Sequence, residues 1–229
     1  MAQGNKFWEL MWGKTTELTI FPYHAHPQPE YFVMEFCRNF LKARQQYSVA
    51  EIGCGPFAHF SRLIKKGFRG SFFSNIRLVA IDVIKDFMKT GMETVTFITA
   101  SAEEFPPNIG EFDLMIYPFV FEYLDKEKAI SELKRVLKDE GVAIFLLNNK
   151  KSPFLWSEKE IQVWEKQDAE FAEQLKRVNE IQERNAFESA DAAGRFFSGH
   201  GFEVIQLNEF KIAGTNVIYG YGIIVRKKS

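Results

Sequence analysis

Short apolar runs alternate with amphipathic helical periods from residue 47 onward, and this alternation organises most of the chain. Runs rich in β-branched and aromatic residues are separated by helical periods or loops. Such an order is typical of a parallel sheet with crossover helices. The first five predicted strands are Tyr47–Ile52, Arg77–Ile81, Thr94–Thr99, Asp113–Tyr117 and Val142–Leu147.

Three helical periods lie between these strands, each with one apolar face and a glycine that is expected to end it. The first ends at Gly67, the second at Gly91 and the third at Gly141. Their apolar positions are Phe60, Leu63 and Ile64; then Ile84, Phe87 and Met88; then Ala129, Ile130, Leu133, Val136 and Leu137.

The pattern changes after Lys150, where residues 156–187 are polar and helical with apolar residues at three- and four-residue intervals. This predicts one long inserted helix, whose apolar stripe either packs on the body of the protein or forms one wall of a substrate pocket. A short helix at 190–198, a strand at 202–207, a turn near Gly214 and a last strand at 217–225 follow. The short link makes the last two strands antiparallel.

The predicted fold is therefore α/β, a doubly wound, mostly parallel, Rossmann-like sheet of about seven strands with the last one antiparallel. A length of 229 residues fits one domain. We expect an N-terminal helical cap at 1–46, a cofactor-binding core at 47–149, a helical insertion at 150–189 as a candidate substrate lid, and a C-terminal helix with antiparallel strands at 190–229.

The charge balance and the cysteine content limit the classes of partner and the cellular compartment that are expected. Lys and Arg number 29 against 30 Asp and Glu, so no overall basic field exists to hold a nucleic acid. Cys37 and Cys54 do not suggest a disulfide scaffold, which favours a reducing cytoplasm. No apolar run approaches the roughly 18 residues that span a bilayer. A small-molecule partner is expected, without nucleic acid or membrane, and no signal for an oligomeric state is present.

The segment 48–57 carries the strongest chemical signal. An apolar strand ends in the carboxylate of Glu51, and Gly53-x-Gly55 follows, with Cys54 and Pro56 inside the same loop. Glycine at the first position permits backbone angles that a side chain forbids, and at the second it permits close approach to a ligand. The loop is thus predicted to hold a nucleoside cofactor.

Further polar residues follow the next two strands. Asp82 and Val83 end the second strand, and Ser101, Ala102 and Glu103 follow the third. Ligands of open parallel sheets bind at the carboxyl ends of the strands. A carboxylate at Asp82 can accept hydrogen bonds from both hydroxyls of a ribose, so an adenosine cofactor suits this edge.

Two cofactor classes compete for the loop, because Gly53-x-Gly55-x-x-Ala58 also fits the dinucleotide fingerprint of NAD(P)-dependent oxidoreductases. An acid at Glu51 suits the ammonium group of S-adenosylmethionine better than a pyrophosphate. The position of the loop near residue 50 and the antiparallel closing pair favour the same cofactor. None of the seven tyrosines is followed four residues later by lysine, which removes one common dehydrogenase type.

The motifs EIGCGPF, VAIDV, SAEEFP, FDLMIYPFVFEYL and LKRVLKDEGVAIFL, in that order over residues 47–147, resemble the class I S-adenosylmethionine-dependent methyltransferases. The resemblance implies that S-adenosyl-L-methionine is the cofactor. It also implies that Glu51, Gly53 and Gly55 hold the methionine part, Asp82 the ribose, and Ser101 and Ala102 the adenine edge, while the loop Tyr117–Glu122, with Phe119, faces the transferring methyl.

Three departures from the family pattern are present. Phe57 stands where a third glycine is usual, Ser101 replaces an aspartate, and the stretch from Gly55 to Asp82 is longer than usual, with a surplus loop at 67–75. A catalytically silent module that binds S-adenosylmethionine is therefore an open alternative, beside the oxidoreductase.

Methyl transfer from a sulfonium is an in-line displacement, so alignment and water exclusion can supply much of the catalysis. An oxygen, nitrogen or sulfur acceptor that must lose a proton would need a base, for which Tyr23, His24, His26 and Glu122 are the candidates. Residues 23–27 form either a lid over the cofactor or a surface turn. His24-x-His26 lacks the further ligands of a metal site, so no metal is expected.

Overall fold

A computed structural model describes residues 27–42, 45–68, 75–85, 94–153 and 155–228. These residues form seven strands and six α-helices, and a short 3-10 helix (Phe121–Tyr123) follows the fourth strand. The elements are α1 (Gln28–Phe40), β1 (Tyr47–Ile52), α2 (His59–Gly67), β2 (Ile76–Asp82), β3 (Val95–Thr99), β4 (Phe112–Pro118), α3 (Lys126–Val136), β5 (Leu137–Asn148), α4 (Glu158–Gln167), α5 (Ala169–Asn185), α6 (Ala190–Gly199), β6 (Phe202–Lys211) and β7 (Ile218–Lys227).

All seven strands form one sheet in the order β3-β2-β1-β4-β5-β7-β6. The strands β1 to β5 pair in parallel, and β7 is antiparallel to both β5 and β6. The chain winds outward from β1 to β3 and then returns to β4 on the other side of β1. This confirms the predicted doubly wound sheet and creates a switch point between the carboxyl ends of β1 and β4, where such sheets bind ligands.

Each face of the sheet is covered by helices, as a parallel sheet requires. On one face α3 and α6 pack on inward side chains such as Tyr117 and Phe145. On the other face α1 and α2 pack on residues such as Ile116 and Ile144. Neighbouring strand residues therefore point into different cores, which is the expected alternation.

The helix before β5 ends earlier than the sequence predicted. We expected Gly141 to end it, but α3 ends at Val136 and Leu137 already pairs with Phe112 in the sheet. Gly141 lies inside β5. A β-carbon there would lie 2.9 Å from the backbone oxygens of both Phe112 and Lys138, so this glycine permits close backbone approach at an irregular part of the β4–β5 pairing.

The predicted single inserted helix is also wrong, because Asp168 divides it into α4 and α5. Asp168 has extended backbone angles, and its side chain accepts a hydrogen bond from Phe171 N at 3.0 Å. The apolar stripe packs mainly between the two helices, where Ile161, Phe171 and Leu175 form a small separate core. The insertion is thus a helical hairpin.

Several predicted features lie outside the described residues: the cap before Pro27, most of the surplus loop and the helix predicted around Phe87. The described part of the predicted N-terminal cap contains α1, which packs through Phe32 against β7. Among the helices in the described ranges, none is long and apolar enough to cross a membrane.

Candidate functional site

The glycine loop after β1 has the backbone conformation that its sequence predicts. Gly53 and Gly55 have φ angles of +67° and +55°, which favour glycine. The loop is fixed to the next strand, because the N–H groups of Gly53 and Cys54 donate to Ile81 O at 2.8 and 3.2 Å. The Cys54 side chain is buried, and burial raises the pKa of its thiol, so it is not a reactive thiolate.

Glu51 lies directly behind this loop, with its side chain only 2% exposed. Its carboxylate oxygens accept hydrogen bonds from Phe60 N at 3.1 Å and Ser61 N at 2.8 Å. Both donors belong to the first turn of α2, where N–H groups lack intrahelical acceptors. Burial raises the pKa of Glu51 to about 7. The carboxylate therefore fixes α2 behind the loop, and its role toward a cofactor ammonium remains a prediction.

Asp82 connects the end of β2 to the glycine loop. One carboxylate oxygen accepts from Gly55 N at 2.9 Å, and the other accepts from Ile84 N at 3.0 Å. Burial raises the pKa of this carboxyl, while the backbone donors oppose that effect. A carboxylate has about four acceptor positions, and the backbone donors of Gly55, Ile84 and Val83 do not occupy all of them. The adjacent Val83 is 37% exposed and offers apolar surface to an adenine.

The segment after β3 lies on the same edge of the sheet, because Ala100 N donates to Asp82 O at 3.0 Å. Ser101 Oγ accepts from Glu103 N at 3.1 Å and Ala102 is buried. Glu103 in turn accepts from Asp125 N at 2.9 Å. This contact joins the predicted adenine edge to the start of α3.

The loop after β4 differs from the sequence prediction in its side chains. Tyr117 is fully buried, stacks on Phe145 with a centroid distance of 4.7 Å, and lies in the core beneath α3 and α6. Phe119 has a φ of +54° and packs toward the opposite core. The two rings therefore contribute to the packing on opposite faces of the sheet.

Val120 lies directly against the glycine loop, a contact that the sequence did not predict. A β-carbon on Gly53 would lie only 2.7 Å from Val120 Cγ2, so the two residues are in direct contact. The positive φ of Phe119 turns the chain at this point. Strand alternation before the loop places Tyr117 in the core, but no sequence signal marks the turn.

Glu122, a candidate base, has a fully buried side chain. One carboxylate oxygen accepts from Asn148 N, and the other has no partner among the described residues. Burial raises the pKa of Glu122 to about 7. The carboxylate thus ties the loop after β4 to the end of β5, and it has no surface open to an acceptor.

The other base candidates, Tyr23, His24 and His26, lie outside the described residues. Across the described ranges, no group of three or more His, Cys, Asp or Glu side chains is arranged to hold a metal ion. His59 begins α2, and its Nε2 lies 2.7 Å from a carboxylate oxygen of Glu30 on α1. This contact joins the two helices beside the glycine loop.

The hairpin reaches this edge of the sheet through the end of α5. Tyr123 OH donates to Gln182 Oε1 at 3.2 Å, and Asn185 Nδ2 donates to Glu122 O at 3.0 Å. Beside these contacts lies a cavity of about 530 Å³, which sequence reasoning also missed. The end of the insertion thus borders a pocket, while its stripe packs within the hairpin.

Comparisons with known proteins find a family model and solved structures that are similar to this region. A family model described as a methyltransferase domain matches residues 50–145, which include the glycine loop, Asp82 and the loop after β4. No curated protein sequence matches the chain.

Solved methyltransferase structures have the same fold. The plantazolicin methyltransferase BpumL, in complex with a triazolic desmethylPZN analog and SAH, has a TM-score of 0.60 at 13% identity and covers 99% of this chain and 92% of its own. A SAM-dependent methyltransferase from Aquifex aeolicus has a TM-score of 0.58 at 17% identity, covering 86% and 88%. The N-methyltransferase NodS from Bradyrhizobium japonicum WM9 has a TM-score of 0.56 at 13% identity, covering 89% and 98%.

Proposed function

We propose, from the premise that residues 50–145 match a methyltransferase-domain model, that this chain is a class I S-adenosylmethionine-dependent methyltransferase. It transfers a methyl group to the oxygen, nitrogen or sulfur of a small organic acceptor. The cofactor is S-adenosylmethionine, which supplies an electrophilic methyl group on a sulfonium. Two of the similar structures support this acceptor class, one named as an N-methyltransferase and the other as a plantazolicin methyltransferase in complex with a triazolic desmethylPZN analog and SAH.

The observation that carries the proposal is the position of Asp82 at the carboxyl end of β2, in contact with the glycine loop that follows β1. Its carboxylate is fixed by backbone donors from the glycine loop and from Ile84, so it is oriented before any ligand binds. Preorganised acceptors lower the cost of ordering on binding. We propose that Asp82 accepts from the ribose, that Val83 and the 101–103 segment border the adenine, and that Gly53, Gly55 and Val120 border the methionine part.

Alignment supplies the catalysis in this proposal. A methyl transfer disperses charge, so holding the two reacting atoms in line and excluding water account for much of the rate. The buried contacts of Glu122 fix the loop that would face the methyl group. We therefore propose Glu122 as a positioning residue of this loop.

We further propose one methyltransferase domain in which the hairpin at 150–189 forms the acceptor side of the cleft. Its last turn contacts the 3-10 helix after β4 through Gln182 and Asn185. A reducing cytoplasmic setting is also proposed, which the buried free thiols of Cys37 and Cys54 support.

Calorimetric titration with S-adenosylmethionine, S-adenosylhomocysteine and NADH tests the cofactor assignment. We expect the first two to bind and Asp82→Asn to weaken both at least about tenfold, because an amide replaces an acceptor that meets N–H and O–H donors. Asp113→Asn is the matched control, since Asp113 also accepts a backbone N–H, from Ser48 at 2.7 Å, but at the amino end of β4. Binding of NADH alone, or equal losses in both variants, would contradict the proposal.

Turnover is then measured with S-adenosylmethionine carrying a labelled methyl group. Transfer of label to a small-molecule acceptor supports an enzyme. Binding of S-adenosylmethionine and its product with no transfer across an acceptor panel of amines, phenols and thiols would favour the silent module.

A further inference from the structure

The cavity at the end of the hairpin has the size of a small-ligand site. Its volume of about 530 Å³ lies within the range of about 300–1,000 Å³ that is usual for small-ligand sites. Its walls come from the loop that leads into α3 and from the last two turns of α5. The lining residues are Tyr123, Leu124, Asp125, Lys126, Ile181, Arg184 and Asn185.

Two cations line this cavity, and neither forms an ion pair with a carboxylate among the described residues. Lys126 Nζ donates to Asn185 O and lies 4.2 Å from the centroid of the Phe187 ring. Arg184 Nε donates to Asn185 Oδ1 at 3.3 Å, and the Arg184 side chain is exposed. Both cationic groups are thus held by neutral acceptors and by an aromatic face.

The negative groups nearby are already engaged. Asp125 caps α3 by accepting from Lys128 N at 3.2 Å, and its other oxygen lies 3.7 Å from Lys128 Nζ. Glu122 attracts Lys126, but its carboxylate is fully buried and does not line the cavity. The N-terminus of α3, an 11-residue helix, adds a partial positive charge. The cavity therefore favours an anion.

The remaining walls are apolar or aromatic. Leu124 and Ile181 contribute aliphatic surface, and Tyr123 contributes a ring whose hydroxyl is bound to Gln182. A ligand that fits these walls has an apolar or aromatic body as well as a negative group.

The cavity adjoins the cofactor cleft through the loop after β4. Val120 contacts Gly53, and Tyr123 lies one 3-10 turn further along the chain, about 6 Å away along the helix axis. The N–H of Asp125 donates to Glu103, which follows the predicted adenine edge. Tyr123 and Asp125 of the cavity lining are thus joined to the segments that border the proposed cofactor site, Tyr123 through the chain from Val120 and Asp125 through its hydrogen bond to Glu103.

We propose that this cavity binds the methyl acceptor, and that the acceptor is a small organic anion whose carboxylate or phosphate lies against Lys126 and Arg184. This inference rests on the proposed function and specifies its substrate class. Lys126 and Arg184 act as binding residues for the anionic group, and the apolar body of the acceptor lies along Leu124 and Ile181.

Fluorine NMR titrations of the full chain saturated with S-adenosylhomocysteine test the charge requirement. The probes are 4-fluorobenzoate, 4-fluorophenyl phosphate and the neutral 4-fluorobenzamide. We expect at least one anion to bind at least tenfold more tightly than the amide, because the amide lacks the charge that the two cations recognise. The tighter anion identifies the carboxylate or the phosphate as the group that is bound. Equal affinity for the amide, or no binding of either anion, overturns the proposal.

Two variants test the residues. Arg184→Gln and Lys126→Gln are each expected to weaken anion binding about tenfold, the typical cost of one charge-assisted contact. Arg195→Gln is the control, since it removes the same charge from an exposed position on α6. Equal weakening in the control would mean a general charge effect and would overturn the assignment.

Titration of S-adenosylhomocysteine into the same protein preparations, before they are saturated for the fluorine NMR measurements, separates the two levels of the proposal. If the cofactor product binds to the unmodified chain and the anions do not, only the acceptor site is wrong. If the cofactor product itself fails to bind, the proposed function is contradicted.

Discussion

Replacing Glu51 or Glu122 by glutamine is expected to change the free energy of unfolding differently in the two variants. Both side chains are buried, and burial raises the pKa of each to about 7. Both oxygens of Glu51 accept backbone hydrogen bonds. Glu122 uses one oxygen, and the other has no partner among the described residues. Replacing each by glutamine removes the charge but leaves a different set of hydrogen bonds.

The direction in which pH changes the free energy of unfolding follows from the difference between the folded and unfolded pKa values. In the unfolded chain these carboxyls ionise near pH 4.5, while in the folded protein they keep their protons until about pH 7. Each therefore reduces the free energy of unfolding as the pH rises from 4.5 to 7, and the full loss remains above pH 7. A pKa raised from 4.5 to about 7 corresponds to about 3 kcal/mol for each group.

Glu122→Gln should have little effect at pH 4.5, where the protonated acid resembles the amide, and should stabilise by about 3 kcal/mol at pH 8. Glu51→Gln places an NH₂ group against an N–H donor of α2. This variant should lower the free energy of unfolding by about 1–3 kcal/mol at pH 4.5. At pH 8 the same lost hydrogen bond should largely cancel the stability gained by removing the buried charge.

Urea unfolding of the two variants and the unmodified chain at pH 4.5, 6 and 8 measures these differences. If Glu122→Gln leaves the pH dependence of the unfolding free energy unchanged, then Glu122 is not the buried group that titrates. If Glu51→Gln and Glu122→Gln change the free energy of unfolding equally at every pH, the number of hydrogen bonds that each carboxylate accepts does not affect its contribution to stability.

Two glycine predictions concern packing. Gly53→Ala should lower the free energy of unfolding by about 2–4 kcal/mol, because φ is +67° and the new methyl group would lie 2.7 Å from Val120 Cγ2. Adding Val120→Ala should recover the share of this loss that comes from the steric contact. Urea unfolding that shows no loss for Gly53→Ala would contradict this prediction. Gly222→Ala should cost about 1–3 kcal/mol, because its methyl group would lie within 2.7 Å of phenylalanine rings from α1 and β6. Gly199→Ala is the control, because its new methyl group would meet no atom within 4 Å. Equal shifts in the melting temperatures of Gly222→Ala and Gly199→Ala would contradict the prediction for Gly222.

The strands and the cofactor edge were predictable because they depend on local signals. The strand Tyr47–Ile52 agrees residue for residue, and Asp82 lies at the end of β2 as expected. Apolar runs, the glycine pair and strand-end acids carry this information within a few residues.

The side chains after β4 and the hairpin were not predictable in the same way. Tyr117 and Glu122 bear the functional groups expected of a site, yet both are fully buried. The valine beside Gly53 carries no chemical signal, and the break at Asp168 interrupts a stripe that reads as one continuous helix. These features depend on contacts between distant segments.

Local patterns along the chain were sufficient to predict the order of the strands, the glycine loop and the acid that ends β2, because backbone preference and apolar periodicity act over a few residues. Packing between distant segments was needed to establish which carboxylates are buried, which residue contacts Gly53, and that Lys126 and Arg184 line one cavity. Those outcomes depend on how α3 and α5, which are separated in the chain by β5 and α4, meet at the edge of the sheet. Burial and the proximity of charges are properties of the packed chain, and no local pattern encodes them.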